Sequence, residues 1–326
     1  MSPVAACRPP LPPAGTDRHL PMNTPPTPSS SNRREGPPAD RFSILRPPSP
    51  PIRRARHRTV LPGFGISAAI TSLMIVALVV FPLAVLILRA ASLGPAGFLA
   101  AAWTPRARAA YAVSLGSSLT AAIISSLLGL LVAWVLVRLE FPGRRILDAL
   151  VDVPLALPTA VAGLVYSTLY VEKGWLGQWL VPVGIKGAYS LLGIVLVLVF
   201  VSLPFAIRVV QPVIESLDKD TEEAARLLGA SKSQTFFRVV LPGILPAVVT
   251  GFALALARAL GEYGSVVFIS GNMPFKTEIA PVLIVSRLEE FAYAEATAIA
   301  VVLLGMSLSM LVVVNVLQQR LVRNAQ

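Results

Sequence analysis

From about residue 61 onward, long apolar runs alternate with short polar gaps. A run of about 20 apolar residues is what an α-helix needs to cross the hydrocarbon core of a bilayer. Six such runs can be read: roughly Ile66 to Leu88, Leu115 to Val137, Val151 to Tyr170, Leu191 to Ile207, Ile244 to Ile269, and Ala298 to Leu317. The first holds no charged residue. The third carries Asp152 at its edge and both Pro154 and Pro158, so it is expected to be broken, with its freed carbonyls meeting protein or water. The fifth contains Arg258 and Glu262. The pattern predicts an all-α membrane protein with about six transmembrane helices.

Residues 1–60 break this pattern. They are rich in Pro, Ser and Arg and bury too little apolar surface to offset the entropy of ordering. They read as a disordered cytoplasmic tail, or as the product of a start codon placed too early, with Met22 one alternative. The segment lacks the short apolar core and cleavage site of a secretory signal. Residues 61–326 form the transmembrane domain. Arg53, Arg54, Arg56 and Arg58 stand just before the first span, as a positive-inside anchor would, and can also touch anionic membrane lipid.

Composition agrees with the membrane reading. Hydrophobic residues make up 55% of the chain and charged ones 14%, against roughly 25% charged in an average soluble domain. The net charge of +11 is topological rather than a nucleic-acid footprint, because no aromatic–basic motif or recognition helix accompanies it. With the N-terminus cytoplasmic, the inside gaps collect Arg138, Arg144, Arg145, Arg208, Lys219, Arg226, Lys232, Arg238, Arg320 and Arg323. The outside gaps hold fewer basic residues, so both termini are expected inside. The only cysteine is Cys7, and the only histidines are His19 and His57, all before the first span. That leaves no thiolate or His-based metal site and no His-dependent triad in the membrane domain. No Gly-Lys dipeptide occurs, so a phosphate-binding GxxxxGK[ST] loop is absent, and any ATP must be hydrolysed by another chain.

The longest polar gap between spans, about residues 208–243, carries the most specific pattern. It reads Glu223-Ala224-Ala225-Arg226-Leu227-Leu228-Gly229, with Leu241-Pro242 twelve residues after the glycine. Asp220 is expected to cap a short helix over Thr221 to Leu228, with Glu223 three residues on as in a capping box. Gly229 suits a left-handed helix end. Ser231 and Gln234 repeat the capping-box spacing for a second helix, which Pro242 is expected to close. Ala224 and Ala225 keep the first helix thin enough to enter a groove, and Glu223 places a charge near its positive end. An ordinary interfacial loop with Phe236 and Phe237 on lipid is the plainer alternative.

Those residues resemble the EAA loop of bacterial ABC importer permeases, through which such permeases dock their ATPase. The wider chain, from Leu61 on, is similar to the CysT-type permease subunits of sulfate/thiosulfate ABC importers. The likeness rests on Leu61-Pro-Gly-Phe-Gly65, Phe141-Pro-Gly-Arg-Arg145, Leu155-Ala-Leu-Pro-Thr-Ala-Val-Ala-Gly163, and Arg258-Ala-Leu-Gly-Glu-Tyr-Gly-Ser265 with its continuation to Asn272 and Pro281. Molybdate permeases share the Ala-Leu-Gly-Glu part. The resemblance implies a multi-pass protein of the bacterial inner membrane with no cofactor of its own. It also implies a second homologous permease subunit, two copies of an ABC ATPase that uses ATP, and a periplasmic sulfate/thiosulfate-binding protein. A molybdate/tungstate permease is the alternative within this class. A secondary carrier is the alternative outside it, disfavoured because no inverted repeat is detectable.

Pro154, Pro158, Arg258, Glu262, Tyr263 and Ser265 are the candidate pathway residues. Arg258 and Glu262 are four apart and share a helix face. Either Arg258 lends positive potential to an oxyanion path, or the two form an ion pair that fixes packing. Asp148 and Asp152, beside Arg144 and Arg145, read as anchors between loop and span.

Overall fold

The computed structural model describes residues 64–325; the tail expected over residues 1–60 lies outside them. The described chain opens with α1 (Phe64–Ile75), a π-helical turn (Val76–Val80) and α2 (Phe81–Ala91). It continues through α3 (Gly94–Ala102), α4 (Pro105–Arg138), α5 (Arg144–Val151), α6 (Val153–Ala156), α7 (Thr159–Tyr170), α8 (Gly177–Leu180) and α9 (Leu191–Ser216). Next come α10 (Lys219–Leu227), α11 (Lys232–Thr235), a second π turn (Phe236–Val240) and α12 (Leu241–Leu260). The short α13 (Val266–Ile269), α14 (Ala280–Glu289) and the long α15 (Tyr293–Ala325) complete it, and the described residues include no strand.

Five helical stretches are long and apolar enough to cross a membrane: Gly65–Ala91, Pro105–Arg138, Leu191–Ser216, Lys232–Leu260 and Tyr293–Arg320. The expected third span is broken. The arm Arg144–Ala156 meets Thr159–Tyr170 at 107°, and counting that pair as one span gives six. The hinge is Leu157, whose extended backbone (φ −81°, ψ 130°) is the conformation favoured before a proline.

Two expectations about the fifth span need correction. It starts at Lys232 rather than near Ile244, and Pro242 does not close the preceding helix. A proline inside a helix gives no N–H, and its ring strikes the carbonyl four residues back. The π turn just before it removes that conflict: the Leu241 N–H reaches back to the Phe236 carbonyl, widening the turn so that the helix passes through. Pro82 follows the first π turn in the same way, with the Phe81 N–H bonded to the Val76 carbonyl. The span also ends at Leu260, not Ile269, because Gly261 turns the chain and residues 266–269 form the separate α13.

The core is the triad of α4, α9 and α12. Leu136, Ile207, Val210, Ile214, Val240 and Ile244 are buried together toward the α10–α11 end. Small residues set the closest approach. Ala206 of α9 lies between Gly129 of α4 and Gly251 of α12; a Cβ on Gly129 would stand 2.8 Å from the Ala206 Cβ, and one on Gly251 3.3 Å from the Ala206 Cα. In hydrocarbon, where apolar burial gives no drive to associate, such contact and interhelical hydrogen bonds hold helices together. The Ser125 and Ser202 hydroxyls, 2.8 Å apart, supply one such bond between α4 and α9. The Gln318 amide donates another from α15 to Thr250 of α12 at 2.8 Å. By contrast, the apolar window of Gly65–Ala91 buries none of its residues within this chain.

Candidate functional site

The polar gap folds as two short helices around a sharp bend. Its first helix is capped by Asp218, whose carboxylate accepts the Asp220 N–H at 3.0 Å, so the expected Asp220–Glu223 capping box does not form and the helix begins two residues earlier. Asp218 lies in extended backbone (ψ 119°) and Asp220 already within the helix, which decides between them. The bend itself is as the local sequence predicts. Gly229 is left-handed at φ +86°. The Ala230 N–H bonds to the Ala225 carbonyl at 3.1 Å and the Gly229 N–H to the Arg226 carbonyl at 2.9 Å, the paired bonds of a Schellman motif. Ser231 and Gln234 close a reciprocal capping box: Ser231 Oγ accepts the Gln234 N–H at 3.3 Å, and Gln234 Oε1 accepts the Ser231 N–H at 2.9 Å.

What fixes this hairpin to the membrane domain is Glu222, not the neighbouring Glu223. Glu222 accepts from Arg138, the last residue of α4, at 2.5 Å, and both side chains are largely buried. Arg138 also lies 5.5 Å over the Trp134 ring. Phe236 meets Trp134 edge-on at 5.3 Å and Phe237 at 5.2 Å. Glu223 and Ala224 are exposed, Ala225 is half-buried, and Leu241 and Pro242 lie at the start of α12, Leu241 packed on the core. Leu227 and Leu228 protrude at the tip, each 89% exposed. Sequence pattern singled out Glu223 through its motif. Only the i,i+4 spacing of Glu222 and Arg226, here 4.0 Å apart, hinted at the residue before it.

At the other end of α12, the intramembrane charges are paired. Arg258 Nη1 donates to Glu262 Oε2 at 2.5 Å. The second oxygen, Oε1, accepts both the N–H and the hydroxyl of Ser265 at 2.9 Å. Glu262 is 2% exposed. This carboxylate therefore shapes the turn that stops the fifth span. The turn packs on the broken third span: a Cβ on Gly163 of α7 would collide with the Ser265 carbonyl, and one on Gly264 with the Thr159 hydroxyl. Pro158 caps α7 beside Thr159, so Pro158, Glu262 and Ser265 belong to one neighbourhood. Tyr263 is partly exposed on this turn, and Pro154 stands on the far arm of the break, at the start of α6. Gly163 and Thr159 carry the contact; both lie in the Leu155–Gly163 stretch that carries the resemblance, but no local pattern there says what they pack against.

Asp148 and Asp152 are anchors between loop and span, and the residue they hold is Arg208 of α9. Arg208 donates to Asp148 at 2.7 Å and to Asp152 at 2.6 and 2.9 Å. One guanidinium thus fastens the arm of the broken span to the core.

Residues 125–326 match the family described as binding-protein-dependent transport system inner membrane component. The sulfate transport system permease protein CysT of Synechocystis sp. is 47% identical over 84% of this chain and 96% of its own length. The protein of the same description from Escherichia coli is 46% identical over 81% of this chain and 95% of its own. Among solved structures, a bacterial alginate ABC transporter in complex with alginate pentasaccharide-bound periplasmic protein superposes with a TM-score of 0.66. It covers 79% of this chain and 95% of that one at 18% identity, a likeness of fold alone.

Proposed function

The chain belongs to the family of binding-protein-dependent transport system inner membrane components, and from that premise we propose that it is the sulfate-conducting permease subunit of an ABC importer, driven by a separate ATPase. It is a multi-pass protein of the inner membrane. The observation that carries the substrate is the reach of the match: two sulfate permeases align over 96% and 95% of their lengths. The other parts of the machine are a second homologous permease subunit, two ATPase copies that bind and hydrolyse ATP, and a periplasmic protein that delivers sulfate or thiosulfate. Both termini lie on the cytoplasmic side, the side of the α10–α11 hairpin.

The route for force follows from covalent and ionic continuity. The exposed Leu227–Leu228 tip meets the ATPase. Movement of the tip passes through the Glu222–Arg138 clamp into α4, and through the α11–π–α12 stretch into the fifth span. That stretch, Lys232–Leu260, is 29 residues and about 44 Å long at 1.5 Å per residue. Its far end carries the Glu262 turn seated on Gly163 and Thr159, so a displacement at the tip bears on the break in the third span. A membrane unit with two arrangements, biased by ATP binding next door, needs such a rigid link.

Labelled-sulfate uptake in cells lacking the gene, with and without its restoration and with unlabelled molybdate as competitor, tests the substrate. Restored ATP-dependent sulfate uptake that modest molybdate leaves unchanged is the expected result. Loss of molybdate entry alone would reassign the substrate and leave the coupling argument intact.

Coupling has its own test. Glu222→Ala frees Arg138 and the hairpin together, and is expected to cut uptake on the order of tenfold, within the 1–3 kcal/mol of a typical coupling free energy. Gly229→Val should match it, because a β-branched residue resists a left-handed backbone even though the space around Gly229 is open. Gly229→Asn, which tolerates that backbone, should retain most uptake. Membrane levels of the two Gly229 variants should equal the parent's, and uptake by Glu222→Ala is taken per molecule in the membrane, since stranding Arg138 also costs stability. Full uptake with Glu222→Ala would remove the clamp from the route.

A further inference from the structure

The first span touches the rest of the described chain thinly, and where it does, two cavities open between the same helices. One, of about 350 Å³, is lined by Ile87, Ala90 and Ala91 of α2, Gly94, Pro95 and Phe98 of α3, and Val301 of α15. It is almost wholly apolar. The other, of about 530 Å³, is lined by Arg89, Ser92 and Leu93 at the end of α2 and by Tyr293, Ala294 and Thr297 at the start of α15. Val301 stands one turn beyond Thr297 on α15, and about 12 Å along the axis from Tyr293. The polar cleft is therefore at the membrane boundary, where both spans end, and the apolar groove lies deeper.

The chemistry of the cleft is that of a donor site for an anion. No carboxylate lines it. Arg89 has no ion pair among the described residues, whose bridges use Arg106, Arg138, Arg208, Arg226, Arg258 and Arg287. The Ser92 hydroxyl already donates to the Arg89 carbonyl at 2.7 Å, and that of Thr297 to the Tyr293 carbonyl at 2.6 Å. Their protons are turned into the helices, which leaves the Arg89 guanidinium and the Tyr293 hydroxyl to serve a ligand. A guanidinium presents a planar fork that matches phosphate oxygens in pairs. Below it, a gap of this size between two membrane-spanning helices does not stay void in a bilayer, since its walls would lose their contacts on one side. An acyl chain has the shape and apolarity to fill it.

We propose that the cleft between α2 and α15 is a specific phospholipid site, with the phosphodiester held by Arg89 and Tyr293 and one acyl chain laid in the groove at Ile87, Phe98 and Val301. The site is separate from the transport route and does not depend on which solute is carried. A phospholipid here would join the otherwise weakly packed first span to the sixth.

The test is quantitative mass spectrometry of phospholipid that stays with the purified importer complex through extensive exchange into mild detergent. Wild type should retain bound phospholipid. Arg89→Ala should lower it about tenfold, the scale of one lost charge-assisted bond, and Arg89→Lys should restore part of it. Val301→Trp, which fills the groove and leaves the charge in place, should also expel it. Arg108→Ala, an exposed cation near the start of α4, should change nothing. Thermal unfolding of each variant checks that it is folded. Equal phospholipid in wild type and Arg89→Ala would overturn the site. So would a cross-link from position 301 to a partner subunit, which would mean that protein, not lipid, fills the groove.

Discussion

Gly163→Ala is expected to cut sulfate uptake about tenfold or more, counted per molecule that reaches the membrane. A single methyl group is enough because of what it meets. A Cβ at 163 would stand 2.8 Å from the carbonyl carbon and Cα of Ser265 and closer still to the carbonyl oxygen. These are backbone atoms, so no side chain can swing aside. Either α7 or the Glu262 turn must move, and overpacking of a close contact costs about 1–3 kcal/mol and sometimes more. That is a sizeable part of a domain's stability, and a large bias on a unit that must hold two arrangements of similar energy. Gly116→Ala is the matched control. It adds the same methyl on α4 at a place with nothing within 4 Å, and uptake should not change. The measurement is uptake per molecule in the membrane, alongside thermal unfolding of the purified complex. Normal uptake by Gly163→Ala would show that α7 and the turn are not in contact during the rate-limiting part of the cycle, and would detach the broken span from the proposed route.

The parts of this molecule that were legible in the sequence are those fixed by local rules. Apolar run length gave the spans, two prolines gave the break at Leu157, and the Ser231–Gln234 spacing with Gly229 gave the bend. Errors came where two local rules competed or where distant residues decided. Pro242 reads as a stop signal, and only the compensating π turn lets the helix through it. Asp218 and Asp220 are equally good caps by type, and backbone conformation chose between them. The fifth span reads as continuing to Ile269 despite Arg258 and Glu262, but the buried carboxylate of Glu262 bends the chain sooner. The clamps Glu222–Arg138 and Arg208–Asp148–Asp152 join residues 84, 60 and 56 positions apart, and nothing in a single sequence pairs them. Gly163 stands in a stretch that carries the resemblance, but its role is hidden for the same reason: the backbone it meets belongs to the turn after α12.

The Arg258–Glu262 pair separates a structural from a conducting role, and the variants that do so have opposite expected signs. Glu262→Ala removes a carboxylate that is 2% exposed, leaving the buried Ser265 N–H without its acceptor and the partly exposed Arg258 without its counter-charge. Breaking a fully buried pair from one side costs about 3–5 kcal/mol, and here less because Arg258 is partly exposed, so the protein should unfold several degrees earlier. Replacing both partners by apolar residues of similar size is often neutral, because two desolvation costs vanish along with the attraction. Arg258→Met with Glu262→Leu should therefore recover much of the lost stability, less the two bonds to Ser265. What that double variant transports is the informative quantity. If the pair only holds the turn against α7, sulfate uptake returns with stability. If the cation also serves the passing dianion, the double variant folds, docks its ATPase and conducts poorly, and Arg258→Lys with Glu262 intact keeps more uptake than the double variant does. The side chain of Arg258 is about one-third exposed while that of its partner is buried, and its bond to Glu262 uses Nη1 alone. On that asymmetry the second outcome is expected: stability recovered, uptake not.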